Sequence, residues 1–359
     1  SGRRLYRPIK QEMKTSIYSY SLEDLTKIRL ARGQSSYRSK QIYSWLYRKG
    51  ALSFDERSDI SKDFREKLKE NFDFSLPSMS LRQKSKDGTV KCLFRLSDGE
   101  QVEGVLRHYV YGYSVCVSSE VGCNRACAFC ASGLLKKKRN LTSAERLGQV
   151  LYFEHYLQSQ NPDDHVSHVV VRGTGEPFDN YDNVLSFVRI LNSPFGRNIG
   201  ARHITISTCG IVPGIKKRAN EGRQINLAIS LHAPNDELRN RIRPINSAYP
   251  LEELIPAVRE YEKKANRTVT FEYIRIKDVN DSLKEAKQLY DLIRPTHGFV
   301  NLIPYNPVRE NGFERSPDYH VDAFHHFLLD HGVKSTIRKE FGSDIDAACG
   351  QLRAKYGKH

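Results

Sequence analysis

Six short apolar runs, each leading into a stretch of helical spacing, constrain this chain more than any other feature: Ser114–Ser118, His168–Arg172, His203–Ser207, Asn226–Leu231, Val269–Tyr273 and Val300–Pro304. They recur roughly 25 to 45 residues apart, the rhythm of strand-then-helix units whose strands run parallel beneath crossover helices. A closed barrel of this kind takes about eight such units. Six predict an α/β fold built on a partial (β/α)6 barrel, open on one side, with its active site at the carboxyl ends of the strands.

The flanks read differently. Leu22, Leu25 and Ile28, then Ile42, Trp45 and Leu46, then Phe64, Leu68 and Phe72 recur at three- and four-residue steps, which predicts a small helical domain over 15–75. Between Met79 and Tyr109 two Asp-Gly turns, Asp87-Gly88 and Asp98-Gly99, separate alternating segments such as Val90–Phe94. That pattern predicts a β-meander extension over 76–112, leading into a barrel over 113–341 and a closing segment over 342–359. With 39% hydrophobic residues in 359 the chain can bury a sizeable core. No apolar run approaches the roughly 18 residues that span a bilayer, and the start is polar rather than signal-like, so a cytoplasmic protein with no membrane partner is expected. Lys and Arg outnumber Asp and Glu by 57 to 42, a net charge of +15. A polyanionic partner fits that excess; solubility alone is the other explanation, and charge does not choose between them.

Seven cysteines in a chain of this kind argue for metal or redox work rather than a disulfide scaffold. The segment Cys123-Asn124-Arg125-Ala126-Cys127-Ala128-Phe129-Cys130 places three thiols within eight residues, just after the first barrel strand. Thiolates are soft donors suited to iron–sulfur clusters or zinc. A four-iron cubane with only three protein ligands keeps one iron open for a small molecule. A structural zinc with Cys116 as fourth ligand, in a non-catalytic RNA-binding protein, satisfies the same spacing.

CxxxCxxC after a first strand, with Phe129 before the last cysteine, resembles the radical S-adenosylmethionine (SAM) enzymes, and Gly173-Thr174-Gly175-Glu176-Pro177 at the end of the second strand resembles their glycine-rich motif. The stretches 115–123, 229–234 (Ile-Ser-Leu-His-Ala-Pro), 301–307 (Asn-Leu-Ile-Pro-Tyr-Asn-Pro) and 344–352 (Asp-Ile-Asp-Ala-Ala-Cys-Gly-Gln-Leu) narrow the match. Together they resemble the dual-specificity RNA methyltransferases that act on carbon 2 of adenosine; a sister family methylates carbon 8 of the same rRNA adenosine. The similarity runs from about Ile17 to Lys355.

The resemblance implies a radical SAM barrel with a 4Fe–4S cluster on Cys123, Cys127 and Cys130, and two molecules of SAM per turnover. Cofactor contacts carry over to Gly175, Glu176, Ser207, Ser230, Leu231, His232 and Asn306. Cys349 is implied to take a methyl group from one SAM, a displacement for which a thiolate is a competent nucleophile. A radical from the second SAM then converts that methyl to a methylene radical, which adds to the adenine carbon. Cys116 resolves the crosslink through a disulfide with Cys349, and Glu103 matches the family's proton acceptor. Taken alone, Glu103 is an exposed strand carboxylate and Cys349 a small buried residue; Cys92 and Cys209 are assigned to packing. Implied partners are 23S rRNA, tRNA as a second candidate substrate, and an electron donor such as flavodoxin or ferredoxin, with a monomer as the working unit. The helical domain and the run Lys136-Lys137-Lys138-Arg139 suit phosphate contact with a folded RNA that presents a splayed-out adenosine.

Three positions depart from the family pattern. Thr174 stands where relatives place a methionine, and Arg172 and Arg243 put guanidiniums where uncharged residues are expected. A buried guanidinium without a partner is costly, so local packing is expected to suffer at both arginines.

Overall fold

Alternation around the two Asp-Gly turns produces an antiparallel meander of β1 (Ser78–Lys84), β2 (Val90–Arg95), β3 (Gln101–Tyr109) and β4 (Gly112–Val117). The structure, a computed structural model, describes residues 16–20, 22–31, 36–49, 60–73, 75–131, 136–172, 174–222, 224–308, 311–347 and 351–356. β4 joins meander to barrel, because its other edge pairs in parallel with β7 (Val166–Val171). Parallel pairing continues through β8 (Ile204–Thr208), β9 (Asn226–Ser230), β10 (Thr270–Arg275), β11 (Phe299–Pro304) and β12 (Ser335–Ile337). All six expected barrel strands are present, within one ten-stranded sheet that includes the meander. The parallel set has a seventh member, β12, whose three residues were too short a run to register in the sequence. A separate two-stranded ribbon, β5 (Glu120–Val121) with β6 (Arg139–Asn140), brackets the cysteine loop.

Crossover helices α4 (Ser143–Gln160), α5 (Tyr181–Asn192), α6 (Val212–Ala219), α8 (Leu251–Ala265), α9 (Leu283–Ile293) and α10 (Asp318–Asp330) separate these strands, with the short α7 (Asp236–Ile242) ahead of α8. Successive strand residues face opposite sides of a sheet. Val115, Val117, Val169, Val171, Ile204 and Ile206 accordingly share one core with Leu147, Val150 and Leu151 of α4. Cys116 and Ser207 beside them, and Ser230 beside the core residue Ile229 on β9, face the other way, into a cavity. Thr142 and Glu145 close a capping box that fixes the start of α4.

The amino-terminal helices are α1 (Leu22–Ala31), α2 (Ser36–Tyr43) and α3 (Lys62–Asn71). α2 runs on into a π turn, Ser44–Arg48, that carries Trp45, Leu46 and Tyr47 inward. The unit docks on the barrel through Arg197, which donates to the Tyr47 carbonyl (2.9 Å) and pairs with Glu154 (3.2 Å). Among the described residues, no helix is long and apolar enough to cross a membrane.

Candidate active site

The chain leaves β4 into a loop fastened from several sides. The N–H groups of Ser119 and Glu120 donate to the Thr174 carbonyl (2.9 and 3.1 Å), and the Asn180 amide donates to the carbonyls of Ser119 and Leu141 (3.0 and 2.7 Å). Arg146, fully buried, donates to the same two carbonyls; burial pulls its pKa down to about 9. At Gly122 φ is +77°, and a Cβ would lie 2.0 Å from the Lys136 carbonyl oxygen, so only glycine admits the turn into Cys123. Beyond it Arg125 pairs with Asp179, and the Cys130 N–H donates to the Cys127 carbonyl (3.2 Å).

Cys123, Cys127 and Cys130 are half-buried and line one cavity together with Cys116, Glu103, Gly175, Glu176, Ser207, Ser230, His232 and Asn306. Soft thiolates around a partly enclosed space, one receiving the Arg125 N–H (3.5 Å), fit an iron–sulfur cluster. Among the described residues no three cysteine, histidine or acidic groups converge as a single-ion site does. A cubane takes each thiolate on a different iron and does not need that convergence; a mononuclear zinc does.

Glycine at 175 is required by φ of +101° and by Glu120, whose Cβ would sit 2.6 Å from an added Cβ. The Glu176 carboxylate accepts from Thr208 Oγ1 (2.7 Å), Cys209 N (2.7 Å) and Phe178 N (3.0 Å), which locks it at the cavity wall. Ser207 and Ser230 hydroxyls lie 3.3 Å apart. His232 adopts φ +62°, accepts at Nδ1 from the Ile274 N–H (2.9 Å) and meets the Phe129 ring edge-on. Burial, with the nearby guanidiniums of Arg243, Arg239 and Arg172, holds it neutral, its pKa well below the ordinary imidazole value. Leu231 is the expected contact that does not line the cavity: its side chain is fully buried and its N–H donates to the Glu272 carbonyl (3.0 Å).

Glu103 is not the exposed strand carboxylate that a meander suggests. It is 3% exposed, pairs with Lys91 Nζ at 2.9 Å, and accepts from the Arg353 N–H at 3.1 Å. Lys91 also donates to the Ala347 carbonyl (3.4 Å). Cys116 lies opposite Val105 on β3, so Lys91, Glu103 and Cys116 share one face. Cys349 and Gly173 lie outside the described residues. The residues flanking the first of them, Ala347 and Arg353, are both fixed on the Lys91–Glu103 pair, Arg353 as part of α11 (Gln351–Tyr356).

The structure revises three further readings, those of Arg172, the basic run and Cys209, and places Thr174 in the packing. Arg172 has a partner after all, an ion pair with buried Glu272 on β10. Thr174 is fully buried, with its carbonyl and N–H both bonded to the β4 loop. The basic run is mostly neutralised within the molecule: Lys137 pairs with Glu120, Lys138 with Glu100, and Arg139 with Asp98 and Glu145. Cys209 is more than packing, because it lines the cavity, with its thiol pKa pushed up by burial. Lys91, Arg338 and Phe341 also line it and were missed; no local pattern sets them apart from solvent-facing strand and loop residues.

A partial parallel barrel with three loop cysteines facing a cavity at the strand ends is the architecture of a radical SAM enzyme. The family model described as "Radical SAM superfamily" matches residues 117–290, and that described as "Ribosomal RNA large subunit methyltransferase N-terminal domain" matches residues 15–73. A Spiroplasma citri protein named "Probable dual-specificity RNA methyltransferase RlmN" is 54% identical over 341 residues, covering 95% of this chain and 98% of its own length. The protein of the same name from Streptococcus pyogenes serotype M5 (strain Manfredo) is 50% identical, covering 96% of each chain. The crystal structure of a radical SAM methyltransferase from Sphaerobacter thermophilus superposes with a TM-score of 0.89 at 40% identity, covering 95% of this chain and 99% of that one. The chain belongs to the RlmN family of radical SAM methyltransferases.

Proposed function

We propose that the protein methylates carbon 2 of an adenosine in 23S rRNA, with tRNA as a second substrate, through a methylated Cys349. The carrying observation is that the three loop cysteines, Cys116 and Glu103 line one cavity, on whose Lys91–Glu103 pair the segment around Cys349 is anchored. Carbon 2 of adenine is an electron-poor amidine carbon, closed to direct attack on a sulfonium methyl. The Cys349 thiolate instead takes the methyl of a first SAM, forming S–CH3 as the sulfonium bond breaks. Cys123, Cys127 and Cys130 would hold a 4Fe–4S cluster, which when bound would supply the reductive cleavage of a second SAM to a 5′-deoxyadenosyl radical. Loss of a hydrogen atom from the Cys349 methyl gives a methylene radical that bonds to carbon 2. Glu103 accepts the carbon-2 proton from the adduct, whose odd electron would return to the cluster oxidised in that cleavage. Cys116 then attacks Cys349 Sγ, forming a disulfide, and the electron pair of the broken S–C bond stays on the methylene, which takes a proton and becomes methyl.

Ser207, Ser230, Asn306 and the strand-end backbone at Gly175 and Glu176 are the groups that would hold SAM. A flavodoxin or ferredoxin supplies the electron for SAM cleavage and the two that return the Cys116–Cys349 disulfide to thiols, and the protein works as a cytoplasmic monomer. The test is nucleoside mass spectrometry of rRNA and tRNA from a strain lacking its own enzyme. Wild type is expected to yield 2-methyladenosine and Cys349→Ala none, while Cys349→Ala still cleaves SAM. Finding only 8-methyladenosine would overturn the carbon-2 assignment, and methylation by Cys349→Ala would remove that thiol from the reaction.

A further inference from the structure

Arg125, Arg172 and Arg243 line the cavity and Arg239 is bonded to two lining residues from behind; three of these four guanidiniums have oxygen partners. Arg125 pairs with Asp179, Arg172 with Glu272, and Arg239 donates to the carbonyls of Leu231 (3.0 Å), Ser230 (3.3 Å) and Cys209 and to Asn246 Oδ1 (2.9 Å). Arg243 breaks the pattern. It is 8% exposed and lines the cavity, yet no hydrogen bond or ion pair joins its guanidinium to another described residue, and its Nε is buried without a partner. What it does touch is the ring of Phe129, 5.5 Å from guanidinium to centroid, and Phe129 lies between Cys127 and Cys130. The backbone keeps it there: the Ala128 N–H donates to the Ile242 carbonyl at 3.1 Å, tying the cysteine loop to the residue before Arg243.

A buried cation without a counter-ion is costly, so its compensating charge has to come from the cavity. Burial pulls the Arg243 pKa down, but Cys127, Cys209, Glu176 and Cys130 more than offset this and leave it above the ordinary arginine value. Glu176 is already committed to three donors.

We propose that Arg243 is the fixed counter-charge of the Cys127 and Cys130 thiolates and thereby sets how readily a cluster held there is reduced. The proposal rests on reading Cys123, Cys127 and Cys130 as cluster ligands. Reduction adds a negative charge, and a cation held close by in a poorly solvated site favours the reduced state. The cation–π contact with Phe129 holds the guanidinium, which cannot lose its proton. Arg243 acts through the thiolates and is a positioning residue, not a catalytic one.

The test compares anaerobically reconstituted holoenzyme with Arg243→Met, Arg243→Gln and Arg243→Lys by redox titration followed by electron paramagnetic resonance without SAM, with iron and sulfide assayed in each. The neutral variants, at full iron content, are expected to shift the reduction equilibrium at least about tenfold toward the oxidised cluster, roughly 59 mV for one electron. Arg243→Lys is expected to stay near the parent. Neutral variants that titrate with the parent overturn the proposal; if they also bind SAM about tenfold more weakly, the counter-ion is the cofactor's carboxylate instead. Where the neutral variants hold no cluster, Arg243→Lys decides: full iron supports the role of charge, and lost iron overturns it. A parent protein without iron overturns the cluster reading itself.

Discussion

Arg172 shows how a charge that looks misplaced in a sequence is resolved by a residue a hundred positions away. The Val169–Val171 run predicts an uncharged successor, and nothing local reveals that Glu272 on β10 faces it. Removing only the carboxylate leaves the guanidinium stranded. Glu272→Gln is expected to lower stability to denaturant by about 2 kcal/mol, less than the 3–5 of a fully buried pair, because 26% of the Arg172 side chain remains exposed. Arg172→Met in the same background should restore most of that loss, and a Glu272→Gln protein as stable as the parent would refute the pairing. The same distance in sequence explains which site residues were legible. Cys123, Cys127 and Cys130 announce themselves because their spacing is local. Lys91 does not, because a lysine between Val90 and Cys92 alternates as a solvent-facing strand residue does, and its partner Glu103 lies on the next strand.

At the scale of elements, the barrel strands were readable because each is a continuous apolar run buried by crossover helices, and β12 was not because three residues carry no period. The docking of the closing segment was equally hidden, since it depends on single polar contacts with the β1–β2 hairpin: Asp346 with Gln83, Asp344 with Ser85, and the Gly342 N–H with Asp87. Burial pushes the Asp87 carboxyl up, but the N–H groups of Gly342 and Thr89 (both 2.9 Å) more than offset it and hold its pKa at about 2, against 3.8 for the free side chain. A pKa depressed by folding contributes stability above pH 4 or so, which disappears as pH falls through about 2. Asp87→Asn is therefore expected to cost about 1 kcal/mol at pH 7, after allowance for solvent screening of an exposed group. Denaturant unfolding of both proteins from pH 7 down to pH 3 checks this; a gap that does not narrow at the acid end would rule it out.

For the whole molecule, a net charge of +15 suits the RNA substrate that the family implies, but the densest basic run is largely paired within the molecule. Lys138 and Arg139 are held by Glu100, Asp98 and Glu145. RNA affinity should fall steeply with salt, as it does when phosphate contacts release counterions. Yet the Lys138→Ala, Arg139→Ala double variant is expected to keep the parent's slope of log affinity against log salt. A slope shallower by about 1.4, the amount for two contacts to single strands, would show in filter-binding assays that both residues leave their carboxylates to meet phosphate.

Glu103 and the Arg353 N–H that it accepts are 250 positions apart, and the cavity wall opposite the cysteine loop is made where those two stretches of chain meet. The ten-stranded sheet owes nothing to that junction, being stitched by its own ladders. Gentle heating or a protease nick near residue 342 is therefore expected to open that wall while the sheet stays intact, as local opening can precede global unfolding. Methyl transfer is expected to be lost on mild warming before the circular-dichroism signal of the sheet changes, and loss of the two together would refute a separately opening wall.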